Sequence, residues 1–237
     1  MVTLLMRAHD LWRKTLTSHV SVGMIVPAMD THHHWLELLS LAFVSIGGAT
    51  MSEWCGALLG VINVIGVVRE RPWCWWAALS STLAYFLVFV HSQLWGQATL
   101  QVFYVGTSVY GYLAWRGSAT RAAVVIHRMT LRASLALLIA TFAVSVTVWW
   151  LLQAHGIAFG MLDSITTIAS LVATALATQK LLESWLWWIV IDTLIALLCW
   201  SQGLLLSSGL YGLFVGLAVI GYWRWRTTMQ VEASGHG

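Results

Sequence analysis

Charge is what this chain has least of. Only 9% of its 237 residues are charged, 59% are hydrophobic, and the mean hydropathy is +0.79. An average soluble domain carries roughly 25% charged residues. So little charge excludes a surface built for water, and the solvent for most of the chain is lipid. The net charge of +3 gives no sign of a nucleic-acid partner, and none is expected, because the basic residues sit in short loops. Cys55, Cys74 and Cys199 lie in apolar segments at unrelated spacings, which excludes a disulfide framework or a zinc site and leaves core packing. There is no G-x-S-x-G, no H-E-x-x-H and no phosphate-cradling glycine loop, so neither an enzyme nor a cofactor is expected. His32-His33-His34 read as interfacial polar residues rather than metal ligands. Arg7, Arg13 and Lys14 interrupt the N-terminus, so no cleavable signal peptide is expected.

What the chain does have is a repeat. Trp73-Cys74-Trp75-Trp76 recurs 112 positions later as Trp185-Leu186-Trp187-Trp188. Val105-Gly106, Val109, Gly111-Tyr112 and Trp115 recur at a spacing of 110 as Val215-Gly216, Val219, Gly221-Tyr222 and Trp225. Duplicated halves built from apolar spans are a recurrent transporter architecture. A span needs about 20 apolar residues, and the pattern places spans near 53–69, 74–91, 97–115, 131–152, 161–180, 185–201 and 206–224. Trp35–Met51 is expected to form an eighth. Trp73, Trp75, Trp95, Trp115, Trp223 and Trp225 sit near span ends and read as headgroup-belt anchors.

Basic residues set the direction. Arg69, Arg71, Arg116, Arg121, Arg128, Arg132, Lys180, Arg224 and Arg226 all fall on one side of this arrangement, which the positive-inside rule makes cytoplasmic. Three spans per repeat is an odd number, so the intervening span Leu131–Leu152 restores the orientation of the second copy. The expected fold is an all-α polytopic membrane protein with two parallel three-helix repeats joined by a linker helix (3+1+3) and an extra N-terminal helix. The expected divisions are 1–52 leader and extra helix, 53–117 first repeat, 118–160 cytoplasmic loop and linker, 161–226 second repeat, and 227–237 cytoplasmic tail.

Asp192 lies mid-span, where a carboxylate costs about 2.5–3.5 kcal/mol, and so is expected to face a polar interior. Trp185, Trp188 and Asp192 at i, i+3 and i+7 share one helical face. With the 112 spacing, Ser80 corresponds to Asp192. Gln97, Gln101, Tyr104, Ser108, Gly111 and Trp115 make a second stripe, echoed by Ser207, Tyr211, Gly212 and Trp225, with Tyr211 aligned to Gln101. Asp163, Thr167, Ser170, Thr174 and Thr178 make a third. Three polar stripes converging in a bundle describe a solvated pathway. Glycines such as Gly106, Gly111, Gly216 and Gly221 permit close helix approach, and a homo-oligomer is expected.

The run Leu94 to Tyr104 with Ser108-Val109-Tyr110-Gly111-Tyr112 resembles the third core helix of PnuC-type vitamin transporters. So do Asp163-Ser164, Thr178-Gln179-Lys180, Glu183-Ser184-Trp185-Leu186-Trp187-Trp188 and Asp192, a W-x-x-W-x-x-x-[N/D] pattern, and Arg69-Glu70 before Trp73-Cys74-Trp75. The resemblance spans about 53–226. It implies a SWEET-like fold in the bacterial inner membrane, where the charge distribution places the C-terminus on the cytoplasmic side. It implies facilitated diffusion of a vitamin, chiefly nicotinamide riboside, trapped by cytoplasmic phosphorylation. It assigns Gln101, Trp185, Trp188 and Asp192 to the binding site; Gln97, Tyr104, Thr174 and Tyr211 join them from the stripes. Ser184 and Asp192 stand where many members carry Asn, so thiamine or another nucleoside-like vitamin stays open as substrate, as does proton coupling through Asp192.

Overall fold

The computed structural model describes residues 45–46, 49–91, 95–117, 125–156, 160–201 and 205–234. His32–His34, Arg121 and most of the expected eighth span lie outside these residues. Seven helices are described: α1 (Met51–Val68), α2 (Cys74–His91), α3 (Trp95–Arg116), α4 (Leu131–Ala154), α5 (Met161–Thr178), α6 (Glu183–Ser201) and α7 (Leu205–Ser234). Among the described residues, α1, α2, α4, α5 and α6 are long and apolar enough to cross a membrane. α3 and α7, at 22 and 30 residues, are long enough but carry the polar stripes that lower their apolarity.

Two boundaries differ from expectation. Ser45–Ile46 (β1) and Ala49–Thr50 (β2) pair antiparallel, so the end of the segment expected as an eighth helix is not helical. The two residues between them in sequence are Gly47 and Gly48, poor helix formers. At the other end α7 continues to Ser234, ten residues past the expected end of its span at 224 and into the segment expected as a tail. No Gly or Pro stops the helix before Gly235. Met229 in that extension packs against the buried core.

Within each half, neighbours in sequence pack together: α1 with α2, α2 with α3, α5 with α6, and α6 with α7. The halves meet through α1 against α7 and α3 against α5, while α4 packs on α5. Thr130 caps α4, its hydroxyl accepting from the Ala133 amide at 3.3 Å. Ser164 Oγ ties α5 to α4 by donating to the Ser145 carbonyl at 2.7 Å.

The core joins the halves with tryptophan. Trp75, Trp115, Trp185 and Trp225 are 4%, 3%, 3% and 0% exposed. Trp75 meets Trp115 edge-on at 5.3 Å, Trp185 meets Trp225 at 5.2 Å, and Trp115 meets Trp225 at 5.9 Å. Trp115 Nε1 donates to the Thr178 carbonyl at 3.0 Å, and Trp225 Nε1 to the Val67 carbonyl at 3.1 Å. Trp75, Trp115 and Trp225 are therefore core residues and not the belt anchors expected from their positions near span ends. Their rings find room because Trp75 lies on Gly111 and Trp185 on Gly221, where an added Cβ would strike the indole. Trp73 and Trp223 are exposed, as a belt requires.

These contacts also correct the register. Trp75 plays against Gly111 the part that Trp185 plays against Gly221, so the corresponding residues are 110 apart, and the 112 spacing of the Trp-x-Trp-Trp strings does not follow the packing. Glu70 and Lys180, also 110 apart, each hold a left-handed backbone (φ 54° and 52°) at the turn after α1 and α5. Lys180 Nζ lies 3.0 Å from Glu70 Oε2 and 4.9 Å from the Trp115 ring centre. A strap from the α3–α4 connection closes over this point: His127 donates its amide to the Lys180 carbonyl and accepts from the Leu182 amide.

Candidate functional site

Beside the tryptophan core the helices leave a cavity of about 300 Å³. That is the lower end of the range for small-molecule sites, roughly 300–1,000 Å³. Most of its lining falls in pairs 110 apart, among them Gly60 and Ser170, Trp75 and Trp185, Ala78 and Trp188, Thr82 and Asp192, and Tyr104 and Phe214. Thr82, not Ser80, thus corresponds to Asp192. In most of these pairs, though not in Trp75 and Trp185 or in Val67 and Ala177, the chemistry differs, so the cavity is lopsided, with its carboxyl and extra indole on α6.

Six of the eight expected site residues come together here: Tyr104, Thr174, Trp185, Trp188, Asp192 and Tyr211. Trp185, Trp188 and Asp192 share the face of α6 that their spacing required. Gln97 and Gln101 are buried on α3 but do not line the cavity, which α3 reaches one turn further along, at Tyr104. Asn63, Trp75, Ser81 and Thr82 were not anticipated. A lone Asn inside the apolar run of α1 was a usable signal; Ser81 and Thr82 in an otherwise apolar helix were a weaker one.

Hydrogen-bond polarity defines what the cavity can hold. A hydroxyl has one proton, and most of those here are already given to backbone carbonyls. Ser81 donates to Gly56 O at 2.8 Å, Ser108 to Tyr104 O at 2.7 Å, Thr107 to Tyr104 O at 3.1 Å, and Thr174 to Ser170 O at 2.8 Å. Ser170 donates to Thr167 O at 2.8 Å, so in its 2.9 Å contact with Tyr104 the tyrosine is the donor. What these groups can offer a guest is lone pairs. The Asp192 carboxyl, 6% exposed, bonds no described residue. None of the described residues lining the cavity is Lys, Arg or His. The site is thus aromatic and rich in acceptors, carries one carboxyl and two indole N–H groups without a partner (Trp75 and Trp185), and has no basic group among its described lining to neutralise an anion.

A polytopic helical protein whose two halves enclose such a cavity has the build of a membrane carrier for a small polar molecule. The chain belongs to the nicotinamide mononucleotide transporter family, whose model matches residues 50–227. It is thereby a multi-pass membrane protein of a transporter family and not an enzyme. Among curated relatives it is similar to the nicotinamide riboside transporter PnuC of Escherichia coli strain K12, 25% identical over 221 residues, covering 81% of this chain and 92% of the relative. The Haemophilus influenzae protein of the same name is 23% identical over 199 residues, covering 81% and 87%. A solved structure described as the crystal structure of the vitamin B3 transporter PnuC aligns with a TM-score of 0.60 at 24% identity, covering 81% and 87%, a likeness of fold.

Proposed function

We propose that this protein carries nicotinamide riboside across the bacterial cytoplasmic membrane by facilitated diffusion, with phosphorylation inside trapping the vitamin. The family description speaks of the mononucleotide and the relatives' names of the riboside; the two cargoes differ by a phosphate. The observation that carries the choice is the cavity's lack of any basic group among the described residues together with the unpartnered Asp192. A phosphate of about −1.5 to −2 charge, drawn out of water beside a carboxylate with no Arg or Lys to meet it, is strongly disfavoured. The unphosphorylated nucleoside has the complementary chemistry: a cationic ring for the indoles and the carboxylate, and hydroxyl donors for the lone pairs.

In this account Trp188 and Trp185 face the ring, Asp192 meets its charge, and Tyr104, Thr174 and Tyr211 meet the polar edges. The parallel repeat, read with the 110 spacing, puts Glu70 and Lys180 together on the cytoplasmic side, and the C-terminus on the same side. Uptake of labelled nicotinamide riboside into proteoliposomes tests the function: entry down its gradient, unaffected by a protonophore, is expected. Uptake that collapses with the protonophore would instead assign Asp192 to proton coupling, and entry of thiamine alone would move the protein to that substrate.

A further inference from the structure

Asn63 is the only asparagine in the chain and sits in the middle of α1. Its Nδ2 donates across the α1–α2 contact to the Cys74 carbonyl at 2.8 Å. A peptide carbonyl only accepts, so the amide can sit only with its nitrogen toward Cys74. The opposite atom, Oδ1, is left as an acceptor on a residue that lines the cavity, and it meets no donor among the described residues. The position 110 residues on is Ala173, so the second half offers no equivalent acceptor. Unlike a hydroxyl, this oxygen cannot rotate to present a proton instead.

Resting on the nucleoside reading above, we infer that Asn63 Oδ1 reads the substituent of the ligand's ring, accepting from the N–H of a primary carboxamide and rejecting the corresponding carboxylate. The carboxamide supplies the proton that the oriented oxygen lacks. A carboxylate has none to give and sets lone pair against lone pair, leaving a desolvated polar group unpaired. Sites built around one such hydrogen bond discriminate far better than apolar ones. Asp192 repels any anion from a distance, so the mark of Asn63 is the preference between the two ligands and not the affinity for either alone.

The test is calorimetric titration of the purified full-length protein with nicotinamide riboside and with nicotinic acid riboside, for the wild type and Asn63→Leu, with Asn63→Ser as second variant. Both affinities are measured on one preparation, so a partly unfolded sample lowers the number of sites without moving their ratio. The wild type is expected to prefer the carboxamide by at least about tenfold. Asn63→Leu should weaken nicotinamide riboside about tenfold and leave the acid within about twofold, so that the preference collapses. Equal weakening of both ligands, or an unchanged preference, overturns the inference alone. A wild type that binds neither overturns the substrate reading and this inference with it.

Discussion

Asp192→Asn removes one negative charge from the cavity and keeps the size and shape of the side chain. In the structure that carboxyl is 6% exposed and bonds no described residue, so its interaction with a bound cation is little screened and its loss frees no internal partner. At about 5 Å and an effective dielectric constant of about 20, two unit charges attract by about 3 kcal/mol. Desolvation of the carboxylate on binding offsets part of this, leaving about 2 kcal/mol, or about thirtyfold in affinity. The assay is a pair of titrations, one with cationic nicotinamide riboside and one with its reduced, uncharged dihydro form, which has the same ribose and carboxamide. The variant should lose about thirtyfold for the cation and less than about threefold for the neutral form. Equal losses for both would show that Asp192 acts through shape or hydrogen bonding, and no loss for either would remove it from the site.

The remaining predictions concern the packing that shapes the cavity. Gly221→Ala would bring a Cβ to 2.5 Å from Trp185 Cη2, so it should cost about 1–3 kcal/mol of stability and weaken binding by displacing that ring. Gly216→Ala, whose Cβ would meet nothing within 4 Å, should leave binding unchanged and the thermal midpoint equal or higher. Lys180→Met breaks the 3.0 Å pair with Glu70, whose side chains are 10% and 22% exposed, and the contact over Trp115. It should lower stability by about 1–3 kcal/mol, and a double-mutant cycle with Glu70→Gln in detergent should show positive coupling. Additive losses would show that the two residues hold the turns independently.

Long apolar runs made the helices legible, because lipid leaves the backbone few alternatives. The stripe logic found the α6 face, where Trp185, Trp188 and Asp192 meet the cavity together. It failed on depth: the spacing that put Gln97 and Gln101 on the same side of α3 as Tyr104 could not say where along that side the cavity begins. It failed on tryptophan as well, since a ring near a span end can face lipid headgroups or turn inward onto a glycine, and only the paired Gly111 and Gly221 decide it. The same glycines corrected the register to 110, which exchanged Ser80 for Thr82 opposite Asp192. Asn63 stands out in sequence as a lone amide in an apolar helix, but with no periodicity to say what it faces. Its meaning comes from the Cys74 carbonyl, which is backbone and invisible in composition.

The most direct test of the account is competition between nicotinamide riboside and nicotinamide mononucleotide on the detergent-purified protein. A cavity that offers acceptors, two indoles and a carboxylate, with no basic group among its described lining, should bind the riboside at micromolar concentration or tighter. The mononucleotide should not compete even at a hundredfold excess, about 2.7 kcal/mol of discrimination. Binding of the mononucleotide as tight as that of the riboside would contradict the account, because the described lining holds no cationic side chain to meet a phosphate.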